Sequence, residues 1–176
     1  MQDTSNQYDK VIESCKDIFL KKSADYGTSW RVLRTISVVD QLFIKAQRIR
    51  TIQQKGTQRV DDNIAAEFQG IINYGVIGLI QLQLTTAEIE EIPVEELTLL
   101  YNQQVGTAKK LMLDKNHDYG EAWREMSQES FVDLILVKLQ RIKQILTNDG
   151  KTLISEGIDA NYLDIINYAI FALILL

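Results

Sequence analysis

A single charge stands in an otherwise apolar stretch near the C-terminal end of the chain. From Asn161 to Leu176 the only charged residue is Asp164. Helical spacing places Asn161, Asp164 and Tyr168 at i, i+3 and i+7, on one face. A carboxylate among buried neighbours is costly unless it is paired or holds a metal. Two readings follow: a structural ion pair with Lys138 or Arg141, or a carboxylate serving a metal or phosphate site. Asn167, next to Tyr168, offers an amide to the same site.

A second set is Asp133, Lys138 and Arg141, which occurs earlier as Asp40, Lys45 and Arg48. At about 100° per residue, Arg48 lies about 80° and Lys45 about 140° from Asp40, so the three fan over one side of a helix. Arginine presents a planar fork to phosphate oxygens and lysine a point charge. The same residues would also suit a solvated face with local ion pairs. The third set is Asp-Tyr-Gly-x-x-Trp-Arg, at Asp25–Arg31 and Asp118–Arg124. It reads either as a pocket mouth or as a helix stop. At a mouth, Tyr119 or Trp123 would stack on a base and Arg124 would meet a phosphate. At a helix stop, Trp30 and Trp123 would be core anchors. His117 is the only histidine, and Ala24 stands in its place in the first copy.

The elements that hold these sets come in two copies. KKSADYGTSWR (21–31) returns as DKNHDYGEAWR (114–124), SVVDQLFIKAQRIR (37–50) as SFVDLILVKLQRIK (130–143), and GIINYGVIGLI (70–80) as DIINYAIFALI (164–174). The offset is 93 residues and becomes 94 after one insertion. Tyr8–Arg50 and Tyr101–Lys143 share 16 identities in 43 positions, too many for common helical composition alone.

The apolar spacing of Val11, Ile12, Cys15, Ile18 and Phe19 predicts a helix. Each copy is expected to hold three. The first spans about 5–22 and 94–115, opening after Pro93 in the second copy, and is broken by Asp-Tyr-Gly. The second spans about 37–54 and 130–146, with Ser37 and Ser130 as N-caps. The third starts at Asp61-Asp62-Asn63 and near Asp159, and ends near Leu84 and at Leu176. The first repeat is read as 5–84, the connection as 85–93 and the second repeat as 94–176. Third helices this apolar must be buried all round. They would pack against each other at a pseudo-twofold centre, or across a homodimer interface. The fold expected is all-α, a pseudo-twofold helical bundle.

Composition narrows the partners. The chain has 176 residues, 45% of them hydrophobic, with one proline. The net charge of −5 gives no basic surface for stable nucleic-acid binding. A local Lys/Arg pair could still hold a small anion. The polar N-terminal residues, and the absence of an apolar run long enough for a membrane span, suggest a cytoplasmic protein. Cys15 reads as a small core residue.

Three motifs together, Lys-x-x-Asp-Tyr-Gly-x-x-Trp, Asp-x4-Lys-x-x-Arg-Ile and Asp-Ile-x-Asn-Tyr, resemble the nucleotide-modification-associated domain 1 family over about 8–84 and 101–176. More distantly, the pattern is similar to MazG-related all-α nucleoside triphosphate pyrophosphohydrolases. That resemblance implies nucleotide handling. It further implies Mg²⁺ held by carboxylates of two neighbouring helices, and release of a monophosphate and pyrophosphate. Asp164 and Asp133 would be the catalytic carboxylates. With Glu67 and Glu156 they would also hold the metal. Lys138, Arg141, Lys45 and Arg48 would bind phosphate, joined by Trp123, Arg124, Tyr119 and Asn167 on the substrate.

The sequence departs from the superfamily pattern of Glu-x-x-Glu on one helix and Glu-x-x-Asp on a later one. After Asp133 come Val137 and Lys138. The third helices carry Asn161-x-x-Asp164 and Glu67-x-x-Gly70, so Glu67 and Asp164 would complete one acidic pair only between the copies. An inactive nucleotide-binding module and a helical interaction protein stand beside the enzyme as readings.

Overall fold

A computed structural model describes residues 3–57, 59, 63–85 and 90–176. Six helices form it. In the first unit α1 is Thr4–Tyr26, α2 Thr35–Lys55 and α3 Ile64–Gln83. In the second, α4 is Val94–Tyr119, α5 Gln128–Thr147 and α6 Ile158–Leu175. One 3₁₀ turn, Ser29–Val32 or Ala122–Glu125, joins the first and second helix of each unit.

The first helices run four residues beyond the expected stop, because Asp25-Tyr26 and Asp118-Tyr119 are still helical. The break falls on Gly27 (φ 63°) and Gly120 (φ 64°), where a side chain would be strained. The expected caps also shift. Ser130 already lies in the first turn of α5, and its amide donates to Ser127, the true N-cap, at 3.2 Å. The amide of Ser37 is bonded to the Arg34 carbonyl, so α2 begins two residues earlier than expected. Asn63 caps α3 by accepting from the Ala66 amide at 2.7 Å. Asp61 and Asp62, also expected at that helix start, lie outside the described residues, as do 86–89 of the connection.

The apolar third helices, α3 and α6, pack against each other at the centre. α2 covers α3, α5 covers α6, and α2 also meets α5. α1 and α4 each touch both central helices and one another. The contacts of one unit therefore mirror those of the other. Ile71, Ile72, Ile80, Ile165, Ile166 and Ile170 are fully buried there, each contributing about 1.5–3 kcal/mol by leaving water. Small residues let the two helices approach. A Cβ on Gly75 would come within 2.7 Å of Ile166, and one on Gly78 within 2.6 Å of the Tyr162 ring. The counterparts, Ala169 and Ala172, are fully buried.

Within the chain the third helices take the first of the two packings expected for them, against each other. By length and composition α6 could cross a membrane. Here its apolar residues serve the packing against α3 and α5.

Candidate functional site

Two reciprocal hydrogen-bonded bridges fix the first helices on the third. The Tyr8 hydroxyl of α1 donates to Asn167 Oδ1 of α6 at 2.7 Å, and Asn167 Nδ2 donates to the Ala108 carbonyl of α4 at 3.1 Å. In the mirror arrangement the Tyr101 hydroxyl donates to Asn73 Oδ1 at 2.8 Å, and Asn73 Nδ2 to the Cys15 carbonyl at 3.0 Å. Each asparagine thus joins its own unit's first helix to that of the other unit. Asn167 is 5% exposed, and both ends of its amide are engaged inside the fold. Burial pushes the Tyr8 and Tyr101 hydroxyls far above the usual tyrosine range, and the buried Cys15 thiol up to about 12.

In the second unit the polar face lies one turn away from this bridge. Asp164, 7% exposed, sits between two ammonium groups, with Lys138 Nζ at 2.9 Å and Lys115 Nζ at 3.0 Å. Lys138 is one of the two partners foreseen from the sequence, and Lys115 of α4 is an addition. Burial works to lower the Lys115 pKa, but the hydrogen bond and charge of Asp164 outweigh it, and the pKa is raised. Burial, followed by the same carboxylate, also raises Tyr168. Asn161 donates to the Gly157 carbonyl at 2.8 Å.

The equivalent face of the first unit is built differently. Gly70 stands where Asp164 does, and Glu67 stands where Asn161 does. The carboxylate has moved one helical turn. It meets Arg48 at 2.8 Å and only loosely Lys45, at 3.8 Å. Lys45 instead folds across Gly70, where a Cβ would lie 2.9 Å from its Cδ and Cε. Its ammonium stands 5.7 Å from the centre of the Tyr74 ring. Beside it opens a cavity of about 590 Å³, lined by Trp30, Tyr26, Tyr74, Lys22, Lys45 and Glu67 among others. Tyr26 is largely exposed at its rim. Among the described residues Lys22 forms no ion pair.

The two tryptophans have diverged in the same sense. Trp30 lines the cavity. Trp123 is 6% exposed, stacked on Phe171 at 4.1 Å and 6°, with the Arg124 guanidinium 4.4 Å from its ring centre. Its indole N–H donates to Asn116. The counterpart of Phe171 is the smaller Ile77, which lines the cavity.

Arg124, expected at a phosphate, joins the units instead. It bonds Glu121 at 2.6 Å, Thr4 at 2.7 Å and Gln7 at 2.6 Å, and Thr4 also donates to Glu121. Tyr119 stays on the surface.

The Thr4 hydroxyl first, then Arg124 against an opposing burial effect, holds the Glu121 carboxyl below its ordinary value of 4.5. Its folded pKa is depressed, so its contribution to stability is complete above the ordinary value. The contribution is lost as pH falls through the folded value. Glu121→Gln is expected to flatten the acid limb of the stability curve below about pH 5. Urea melts from pH 6 to pH 3 would check this, and an unchanged slope would place the carboxylate in solvent.

The remaining carboxylates do not gather. Asp133 lies on the α2–α5 face, 3.9 Å from Arg50, in a pair mirrored by Asp40 and Lys143 at 3.8 Å. Among the described residues no three of His, Cys, Asp or Glu group closely enough for a metal ion. Asp164 and Glu67 are each matched by cations. This donor set does not fit Mg²⁺ held by two helices. Lys138, Arg141 and Glu156 do meet, with Asn161 and Lys151, around a second cavity of about 610 Å³ beside residues 151–156. Among the described residues its lining holds no aromatic side chain.

Sequence reasoning missed Lys22 and Lys115 as site residues, and also the Tyr8 and Tyr101 bridges. Their recurrence at the repeat offset was the available signal.

A family model described as nucleotide modification associated domain 1 matches residues 22–82 and again residues 115–176. No curated protein and no solved structure matches the chain.

Proposed function

The chain belongs to the nucleotide modification associated domain 1 family, and on that premise we propose that it is a nucleotide-binding protein whose site is the cavity of the first unit. One observation carries the reading: Trp30, Tyr26 and Tyr74 line the same cavity as Lys22 and Lys45. Aromatic faces accept a base whatever its substituents, and ammonium groups accept phosphate. Arg48 stands closest to Glu67, so the acid there does not neutralise both lysines. A net charge of −5 over the chain leaves such a local field free to select a small anion over a polymer.

Mg²⁺-dependent release of pyrophosphate from a nucleoside triphosphate is the second reading, as the distant likeness to MazG-related enzymes implies. The dispersal of Asp133, Asp164, Glu67 and Glu156 favours binding over that chemistry. No catalytic step is assigned to them.

The test is a titration with common and base-modified nucleoside and deoxynucleoside triphosphates, read by tryptophan emission and by melting temperature. Trp123 is packed away, so quenching reports on Trp30. The expected result is quenching together with a rise in melting temperature. Lys45→Ala should weaken affinity about tenfold, the equivalent of ~1.4 kcal/mol for one charge-assisted contact. Trp30→Phe should abolish the quenching while retaining binding. Silence in both signals across the panel would refute the binding reading. Pyrophosphate release from the same mixtures would restore the hydrolase.

A further inference from the structure

The two units carry one polar site in two states. In the second unit Lys115 and Lys138 clasp the carboxylate of Asp164 at 3.0 and 2.9 Å. In the first unit their counterparts, Lys22 and Lys45, line the cavity, and the position between is Gly70. We infer that the carboxylate of Asp164 is a built-in substitute for a ligand's phosphate. The phosphate chain of a nucleotide bound in the first unit then lies over Gly70, between Lys22 and Lys45. The location rests on the proposed nucleotide site.

Three observations converge on this assignment. Removing the acid from position 70 takes away both the negative charge and the volume of its side chain. Lys45 then lies over the bare backbone, with its Cδ and Cε 2.9 Å from where a Cβ would be. The acid lining the cavity, Glu67, stands one turn along the helix, in contact with Arg48 at 2.8 Å and only at 3.8 Å from Lys45. The aromatic half of the site differs in step with the charged half. Phe171 fills the space against Trp123 in the unit that has its own anion. Ile77 leaves Trp30 at a cavity wall in the unit that has glycine at the equivalent position and Glu67 only 3.8 Å from Lys45. The second unit is thereby self-occupied, and the protein binds one nucleotide per chain.

Placing an acid back at position 70 is the direct test. The three atoms nearest its Cβ would all belong to the flexible end of Lys45, and the new carboxylate could take both lysines as Asp164 does. Wild type, Gly70→Asp, Gly70→Ala and Lys22→Ala would be titrated calorimetrically with sodium pyrophosphate and with the nucleoside triphosphates that respond best.

The expected result is binding of one equivalent by wild type. Gly70→Asp should weaken binding at least tenfold for both probes, Lys22→Ala about tenfold, and Gly70→Ala only a few-fold. Lys22 is exposed and lies outside the core, so that variant keeps the test alive if Gly70→Asp does not fold.

If Gly70→Asp or Lys22→Ala binds nucleotide as wild type does, the phosphate lies elsewhere. The inference then falls while the nucleotide site stands. An equal loss in Gly70→Ala and Gly70→Asp makes the effect steric and also overturns it. If pyrophosphate binds and is lost in Gly70→Asp while nucleotides bind no better, the anion site stands and the base-binding reading falls. No binding of either probe overturns both.

Discussion

Asp164→Ala is expected to destabilise the protein by about 3–5 kcal/mol, the usual result of stripping a buried ion pair of one partner. At the ~2–4 °C per kcal/mol typical of a chain this long, the melting temperature should fall by about 6–20 °C. The substitution leaves Lys138, whose side chain is 13% exposed, without its anion in the interior. Lys115 is half exposed and can turn its ammonium to water, so the lower end of the range is favoured. The reverse deletion, Lys138→Met, should cost less, because Asp164 keeps Lys115. Stability at high pH gives a second readout. The raised folded pKa of Lys115 means its contribution is complete below the ordinary lysine value and disappears as pH climbs through the folded one. In Asp164→Ala that alkaline loss should shrink. A change in stability below 0.5 kcal/mol, on the order of an exposed pair, would mean that the carboxylate is solvated.

The second large effect is expected at the reciprocal bridges. Asn167→Leu leaves the fully buried Tyr8 hydroxyl without an acceptor, at a cost of about 1–3 kcal/mol for the stranded group. The added branched volume raises it further. Tyr8→Phe removes the donor but leaves an amide oxygen unpaired, and should cost about 1–2 kcal/mol. The two together should cost less than the sum, because the double variant strands neither group. Chemical denaturation of the four proteins closes the cycle. Strict additivity would show that the hydroxyl and the amide do not depend on each other.

The architecture could be read from the sequence because it is written twice. Each unit's helices follow from apolar spacing, and the fixed offset guards against misreading a buried apolar helix as a strand. The burial of α6 follows from the near absence of charge between Asn161 and Leu176, and that of α3 from the same pattern, with Glu67 as its one charge. The helix ends were less accessible. Asp25-Tyr26 looks like a stop, yet the stop is set by the positive φ of Gly27, one residue later.

The site was only half accessible, for a different reason. Residue types identify Asp164 as a buried charge, but nothing local says that one of its partners is Lys115, which comes from another helix. Arg124 has the chemistry to meet a phosphate. Two of its actual partners, Thr4 and Gln7, belong to the other unit. The exchange of Asp164 for Gly70 is visible on aligning the copies. Read alone it is a missing acid. Only with Lys45 lying across it does it become a place for another anion.

The reciprocal bridges between Tyr8 and Asn167 and between Tyr101 and Asn73 have a consequence for assembly. Every element of one unit finds its complement in the other, as the subunits of a symmetric pair would. A polypeptide with one unit would close this surface only by meeting a second copy, and dilution would separate them. The covalent connection replaces that encounter by a loop closure, with an effective concentration on the order of millimolar for a short tether. The fused protein should therefore melt at one temperature whatever its concentration. Its two halves, no longer obliged to be identical, were free to divide their work.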